Sequence, residues 1–245
     1  AEDWHEIIDV AHWWRDRDGF VGDVPVIGRH GRGDPVKWPR DPDEILSAYP
    51  ETDDLKVRIL GGGEIAVKRL GRQPANWDVL KFGTEPPDEF LRTIDFFVYF
   101  HDPDWLEAFG RTILEAMASG VPVIIGAHFR PLFGDAALYT TPGGAIPLVR
   151  ELYADRARYR AVVRQAREFA ERRYGHQSHL TRLADFGIRS RIAVPGPRRD
   201  PAPRPARRVL MVSDNGAGMG HLSRLMAIAR RLPDDMAPVI ATQSY

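Results

Sequence analysis

Between Val24 and Gly187, short runs rich in Val, Ile, Leu, Phe and Tyr alternate with helical stretches, and this alternation constrains the fold more than any other feature. Strands are predicted at Val24–Gly28, Lys56–Leu60, Asp78–Phe82, Phe96–Phe100, Val121–Ile125 and Ala137–Thr140, each bounded by Gly, Pro or Asp. Helices are predicted at Asp43–Tyr49, Pro87–Ile94, Gly110–Ala118 and Ala145–Leu152. From Asp155 to Tyr174 the residues Tyr159, Val162, Val163, Ala166, Phe169 and Ala170 are spaced for one apolar helix face, and a shorter helix is predicted over Gln177–Phe186. Buried strands alternating with helices imply βαβ units, hence an α/β fold: a Rossmann-like parallel sheet with helices on both faces. Such sheets bind ligands at the carboxyl ends of their strands, so the loops there are where chemistry is expected.

Composition removes several classes of function. With 34 Lys and Arg against 34 Asp and Glu, the chain lacks the basic surplus of a general nucleic-acid binder. No apolar run approaches the ~20 residues of a membrane span. The absence of cysteine excludes disulfides and thiolate metal sites. Ala1 to Asp18 is charged throughout and has no signal-peptide pattern, and the expected location is cytoplasmic. The basic residues are mostly Arg along the whole chain, a bias attributed to genomic base composition.

The expected organisation has four parts. Residues 1–23 read as an interdomain connection, with Trp4, Ile7, Ile8, Val10, Ala11 and Trp14 on a helix-like packing stripe. Residues 24–190 form the main domain, and 191–207 a Pro/Arg-rich, semi-rigid linker. At 208 the pattern restarts: a strand at Arg208–Ser213, a glycine-rich turn at Asn215–His221, a helix at Leu222–Leu232 and a strand at Pro238–Thr242. This is expected to be the truncated βαβ start of a second unit.

The strongest chemical signal is Asp95–Gly126. A strand runs into a loop and then a helix near Gly110, whose N-terminus leaves the amides of Phe109 to Ile113 unpaired and carries partial positive charge. That suits a phosphate or pyrophosphate, with Gly110 allowing close approach. Glu107 and Glu115 flank the cradle, and a carboxylate there can accept hydrogen bonds from vicinal sugar hydroxyls. The competing reading is a first-turn acid and a solvated helix residue. A second signal is Val24–Pro39, where a loop is expected to bring Arg29, Arg32 and Lys37 to the same sheet edge, in a pattern suited to a diphosphate or to a solvated loop. A third, weaker, is the Gly61-Gly62-Gly63 turn.

These residues resemble the C-terminal, nucleotide-sugar-binding half of GT-B glycosyltransferases, specifically retaining family 4. Glu107-Ala-Phe-Gly-Arg-Thr-Ile-Leu-Glu115 is similar to that family's E-x7-E element, Arg29 and Lys37 to its Arg/Lys pair, and Phe82-Gly83 to the segment beside the base. Residues 134–142 are similar to its downstream loop. The resemblance implies one half of a GT-B fold that takes a nucleotide-diphosphate sugar without cofactor or metal. It further implies that Arg29 and Lys37 bind the diphosphate and support the leaving nucleotide, Arg32 sharing the role of Lys37. Glu107 then contacts the transferred sugar, Phe109, Gly110, Arg111 and Thr112 hold sugar and phosphate by their amides, Gly62 lines the donor site, and Glu115 takes the ribose hydroxyls. His101-Asp102 departs from the family's usual Pro-Ser pair. The acceptor domain is expected to precede this chain, and peripheral membrane association through that half is left open. The restart resembles another GT-B N-terminal domain, which implies that Gly216, Gly218, Gly220 and His221 line a cleft. A G-x-G-x-x-G nicotinamide motif fails there, because His221 stands at the third glycine.

Two Asp-Pro-Asp copies, at 41–43 and 102–104, read as a helix cap and a poor metal site, and His176 and His179 lack a third ligand. The competing functions are another GT-B enzyme, an epimerase or a phosphorylase whose pyridoxal phosphate would need Lys68 or Lys81, and a nucleotide-sugar-binding module without turnover.

Overall fold

The computed structural model describes residues 6–16, 20–187, 207–213, 220–233 and 235–242. The chain divides into two units, residues 1–189 and 190–245. The first is built on six strands: β1 (Val26–His30), β2 (Lys56–Leu60), β3 (Trp77–Leu80), β4 (Phe96–Tyr99), β5 (Val123–Ile125) and β6 (Leu138–Tyr139). Their order is β3-β2-β1-β4-β5-β6, every pair parallel. The Rossmann-like expectation therefore holds, and the chain reverses direction across the sheet between β1 and β4. It is outside such a switch point that open α/β sheets bind their ligands.

The sheet is buried on both faces because its strands alternate between two cores. Phe97 and Tyr99 point into one, with Phe90, Ile94, Ile113, Leu114, Met117 and Tyr174. Phe96, Val98 and Phe100 point into the other, with Trp38, Tyr49, Trp77, Val149 and Tyr159. The first core is covered by α4 (Pro87–Leu91), α5 (Arg111–Ala118) and part of α8 (Arg156–Tyr174). The second is covered by α2 (Pro42–Ala48), α3 (Gly63–Leu70) and α7 (Ala145–Ala154). The short α1 (Val10–Trp13) buries Val10 beside Ile8, whose amide donates to the Tyr174 carbonyl at 2.8 Å. Of the expected stripe, Ala11 is exposed and Trp4 lies outside the described residues. The helix α9 (His176–Asp185) follows α8 directly.

One strand is displaced from its expected position, with consequences for the site. β1 runs from Val26 to His30 instead of Val24 to Gly28. Pro25 has no N–H to give the ladder. The buried Asp95 carboxylate meanwhile takes the amides of Val21 (2.8 Å) and Val26 (2.9 Å), so the ladder starts at Val26. Arg29 and His30 are consequently strand residues, not loop residues.

The loops following β1, β2 and β3 are locked together. Gly31 N donates to Leu60 O at 3.0 Å and Gly61 N to Leu80 O at 2.8 Å. Gly61 has φ +78°, and a Cβ there would stand 2.3 Å from the Gly31 carbonyl oxygen and 3.0 Å from Phe82 Cβ. Gly61→Ala is expected to cost roughly 2–4 kcal/mol from backbone strain and clash. All six tryptophans lie in residues 1–189, so urea denaturation followed by their fluorescence reads this unit; an unchanged midpoint would refute the tight packing.

In the second unit, β7 (Arg207–Ser213) pairs in parallel with β8 (Met236–Thr242) across α10 (Gly220–Ala229). These bounds agree with the expected strand–helix–strand order. Gly216 and Gly218 lie outside the described residues, as does the linker at 191–206. Gly220 opens α10 and His221 follows it. No helix among the described residues is long and apolar enough to cross a membrane.

Candidate functional site

At the carboxyl edge of β4 the chain runs through residues 100–110 into α5. Gly110 is the N-cap, with φ +81°, and no side chain caps the helix. Ile113 N is bonded to Gly110 O at 3.0 Å, so it does not belong to the open cradle expected for it. The helix mouth is formed by Gly110 with the first-turn amides of Arg111 and Thr112, where a helix leaves its donors unpaired. The Phe109 ring points away into the core, 5.9 Å from Phe133 and 5.3 Å from Tyr174.

Glu115 is not a solvated helix residue. Arg111 Nε holds its Oε1 at 3.0 Å, and Arg111 is itself anchored to Glu6 Oε2 at 2.8 Å and Ile7 O at 3.0 Å. Burial raises the pKa of Glu115 above the usual carboxylate range, and Arg111 opposes the shift. Glu107 is half-buried and accepts a hydrogen bond from Tyr99 Oη at 3.1 Å. The two acids therefore stand beside the mouth of α5 in different settings, one held by the Arg111 guanidinium and one by the Tyr99 hydroxyl.

The basic residues separate in the same way. Arg29 is 3% exposed. Its guanidinium donates to Lys37 O (2.7 Å), Phe100 O (3.0 Å) and Tyr49 Oη (3.5 Å), and lies between the rings of Trp38 (4.0 Å) and Tyr99 (4.5 Å). The expectation of an Arg29 fork facing a diphosphate is thus not met in this arrangement, because β1 carries the side chain into the core. Arg29 instead fixes the backbone of the loop bearing Lys37. The Lys37 ammonium stands 6.0 Å above the Trp105 ring, without an ion pair among the described residues. Arg32 is exposed on the same loop. Phe82 is 65% exposed beside Gly83, and Gly62, the N-cap of α3, packs on the loop at Gly33.

Sequence reasoning missed three histidines and a tyrosine, which reach this edge from β1, β4 and the turn after β5. His30 ends β1 and is 4% exposed, with Nε2 3.6 Å from Glu115 Oε2. Burial, reinforced by Arg29 and Lys37, lowers its pKa to about 3. His101 Nδ1 lies 2.7 Å from Asp102 O, and its Nε2 lies 2.9 Å from His128 Nε2. A carbonyl only accepts, so His101 carries its proton on Nδ1, and in the neutral pair His128 donates to His101. Burial and then His101 lower the pKa of His128. The placement of His101 in the usual Pro-Ser position was the only sequence signal for this pair.

The first Asp-Pro-Asp is the expected cap: Asp41 accepts from Asp43 N at 2.9 Å at the start of α2. In the second, both carboxylates are taken by Arg40, which reaches Asp102 through Nε and Asp104 at 2.8 Å. Among the described residues no three His, Cys, Asp or Glu side chains converge as metal ligands.

The carboxyl edge of the sheet thus brings together a helix mouth, Glu115 held by Arg111, Glu107 held by Tyr99, and the Lys37 ammonium over the Trp105 ring. Residues 14–132 match the family model Glycosyl transferases group 1. The matched segment contains β1 to β5, both acids and Lys37. Among solved structures, HepE of Anabaena in complex with UDP-glucose aligns with a TM-score of 0.56 at 17% identity, covering 74% of this chain and 55% of that one. The C-terminal domain of LpcC, a glycosyl transferase group 1 family protein of Francisella tularensis, aligns at 0.50 and 15% identity, covering 69% of this chain and 100% of that one. A glycosyltransferase from Rickettsia africae aligns at 0.52 and 13% identity, covering 67% and 47%. At these identities the likeness is one of fold, and the chain spans about half the length of the HepE chain. No curated protein matches the chain. The family match and the fold together support a glycosyltransferase group 1 domain of GT-B type in the first unit.

Proposed function

We propose that residues 24–190 are the donor-binding half of a retaining family 4 GT-B glycosyltransferase, which transfers a sugar from a nucleotide diphosphate without a divalent cation. The observation that carries this reading is the setting of the helix mouth. Glu115, held by Arg111, and Glu107, held by Tyr99, flank it in the segment matching the family. In this reading Lys37 and Arg32 neutralise the diphosphate as the bond to the sugar breaks, a task a metal ion would otherwise perform. Arg29 supports them from beneath by holding the Lys37 backbone. The Gly110–Thr112 amides face the phosphate, Glu107 contacts the sugar, Glu115 accepts the ribose hydroxyls, and Phe82-Gly83 with Gly62 border the base.

HepE is described in complex with UDP-glucose and with UDP, which supports a nucleotide-sugar donor here. Full coverage of the LpcC C-terminal domain supports assigning this unit to the second half of a GT-B fold. The acceptor half then comes from a segment outside this chain, and the protein acts in the cytoplasm. Residues 208–245 open a second GT-B unit, with Gly216, Gly218, Gly220 and His221 towards its cleft.

Calorimetric titration of the full chain with UDP-, GDP- and ADP-glucose in EDTA tests the proposal. One nucleotide sugar is expected to bind saturably. Glu115→Ala is expected to weaken nucleotide and nucleotide sugar alike by ~1–3 kcal/mol, and Glu107→Ala only the sugar-bearing ligand. Equal losses for both ligands in Glu107→Ala would reverse the two assignments. Binding that requires added Mn²⁺ or Mg²⁺ would end the metal-independent reading.

A further inference from the structure

His30 is buried, and its Nε2 has no hydrogen-bond partner. It is held between aromatic rings, edge-on to Phe90 (6.0 Å) and Phe97 (5.6 Å), which leaves the ring little freedom. Its Nε2 is directed at one carboxylate oxygen, Glu115 Oε2, at 3.6 Å, which is just beyond hydrogen-bond reach. The other oxygen is already taken by Arg111 Nε at 3.0 Å. Glu115 is thus gripped on one side and faced on the other by the unpartnered Nε2 of His30. A buried donor left unmade is costly, so such an arrangement favours any state that closes the gap. In the proposed donor complex, ribose hydroxyls donating to Glu115 would turn the carboxylate about its Arg111 contact and close the gap to His30. Catalytic and binding hydrogen bonds often lengthen in the empty protein and tighten around the ligand.

We propose that His30 is a positioning residue for the nucleotide ribose: its Nε2–H donates to Glu115 Oε2, aiming the carboxylate's free lone pairs at the vicinal 2′ and 3′ hydroxyls. With Arg111 and His30 each taking one lone pair, one outward lone pair remains on each oxygen, matching two hydroxyl donors. The pair then selects ribonucleotides over 2′-deoxyribonucleotides. The inference rests on the reading of Glu115 as the ribose acceptor.

The test measures affinities of the full chain for UDP, GDP and ADP and for their 2′-deoxy counterparts, in the wild type, His30→Leu, His30→Gln and Glu115→Ala. The wild type is expected to prefer the ribonucleotide by about tenfold, the worth of one good hydrogen bond. His30→Leu should lose most of that preference while binding the deoxynucleotide as the wild type does. His30→Gln, which restores an N–H near the same place, should recover it. An equal loss for both sugars in His30→Leu, or no recovery in His30→Gln, would overturn the positioning role. If Glu115→Ala keeps the preference, the ribose reading of Glu115 itself fails; if Glu115→Ala abolishes it and His30→Leu does not, only the role of His30 fails. A measurement on the wild type needs no variant to fold. The ¹⁵N spectrum of the His30 ring should show the Nε2–H tautomer, its proton moving downfield on saturation with the bound nucleotide. An Nδ1–H tautomer in the complex would overturn the proposal.

Discussion

Acidification is expected to remove up to about 5 kcal/mol of stability from the first unit through His30, and His30→Gln is expected to keep it. The folded pKa of His30 is lowered from 6.5 to about 3, and each pH unit between the two values corresponds to ~1.4 kcal/mol. The sign follows from proton binding. Below pH 6.5 the unfolded chain takes up a proton at His30 that the folded chain refuses, so stability falls as pH falls and levels off near pH 3. The cause is burial first, with Arg29 and Lys37 adding repulsion. Glu115 works in the opposite direction. Its raised pKa lets the folded chain bind a proton earlier than the unfolded one, which offsets part of the loss near and above its ordinary value. Urea titrations by tryptophan fluorescence at pH 6.5, 5.5, 4.5 and 3.5 isolate the histidine as the difference between wild type and His30→Gln. Parallel stability curves for the two proteins would show that His30 is not held neutral by the fold.

The fold was legible because its signals are local. Alternating β-rich and helical runs, each bounded by Gly, Pro or Asp, identify parallel βαβ units without any knowledge of tertiary contacts. Lys56–Leu60 appears with its expected bounds, and the other strands of the first unit within two residues of theirs. Glu107 and Glu115 could be singled out for the same reason, since both acids sit on one loop–helix segment. What was hidden depends on contacts distant in sequence. Asp95 decides where β1 begins from about seventy residues away, and those two residues turn Arg29 from an expected ligand into a buried brace. His30, Tyr99 and His128 are unremarkable where each stands in the sequence, and His101 stands out there only as a departure from the usual Pro-Ser pair. They acquire meaning only because β1, β4 and β5 are neighbours in the sheet. Arg111 was read for its backbone amide, whereas its side chain clamps Glu115 through a grip on Glu6 and Ile7 that no spacing rule reveals.

Arg29→Ala is expected to destabilise the first unit by roughly 3–5 kcal/mol, the cost of leaving two buried or part-buried carbonyls without their donor together with the lost ring contacts. The Lys37 and Phe100 carbonyls would lose their donor, and the space between the Trp38 and Tyr99 rings would lose the cation that fills it. For a domain of this size that corresponds to a fall of about 10–15 °C in the melting midpoint. Trp38 lies against the guanidinium, so its fluorescence should also change in the native baseline before unfolding. Arg29→Lys should recover little, since an ammonium on a flexible stem cannot reach both carbonyls and stack between two rings at once. Lys37→Ala makes the contrast. Among the described residues its ammonium has no ion pair and stands 6.0 Å from the Trp105 ring, so its loss should cost less than about 1 kcal/mol of stability. Nucleoside diphosphate affinity should nonetheless fall, and the salt dependence of binding should flatten. Melting curves and titrations of the two variants therefore separate brace from ligand. Should Arg29→Ala melt like the wild type while losing nucleotide affinity, the guanidinium would have to leave its sandwich to meet the diphosphate, and the division of labour between Arg29 and Lys37 would be reversed.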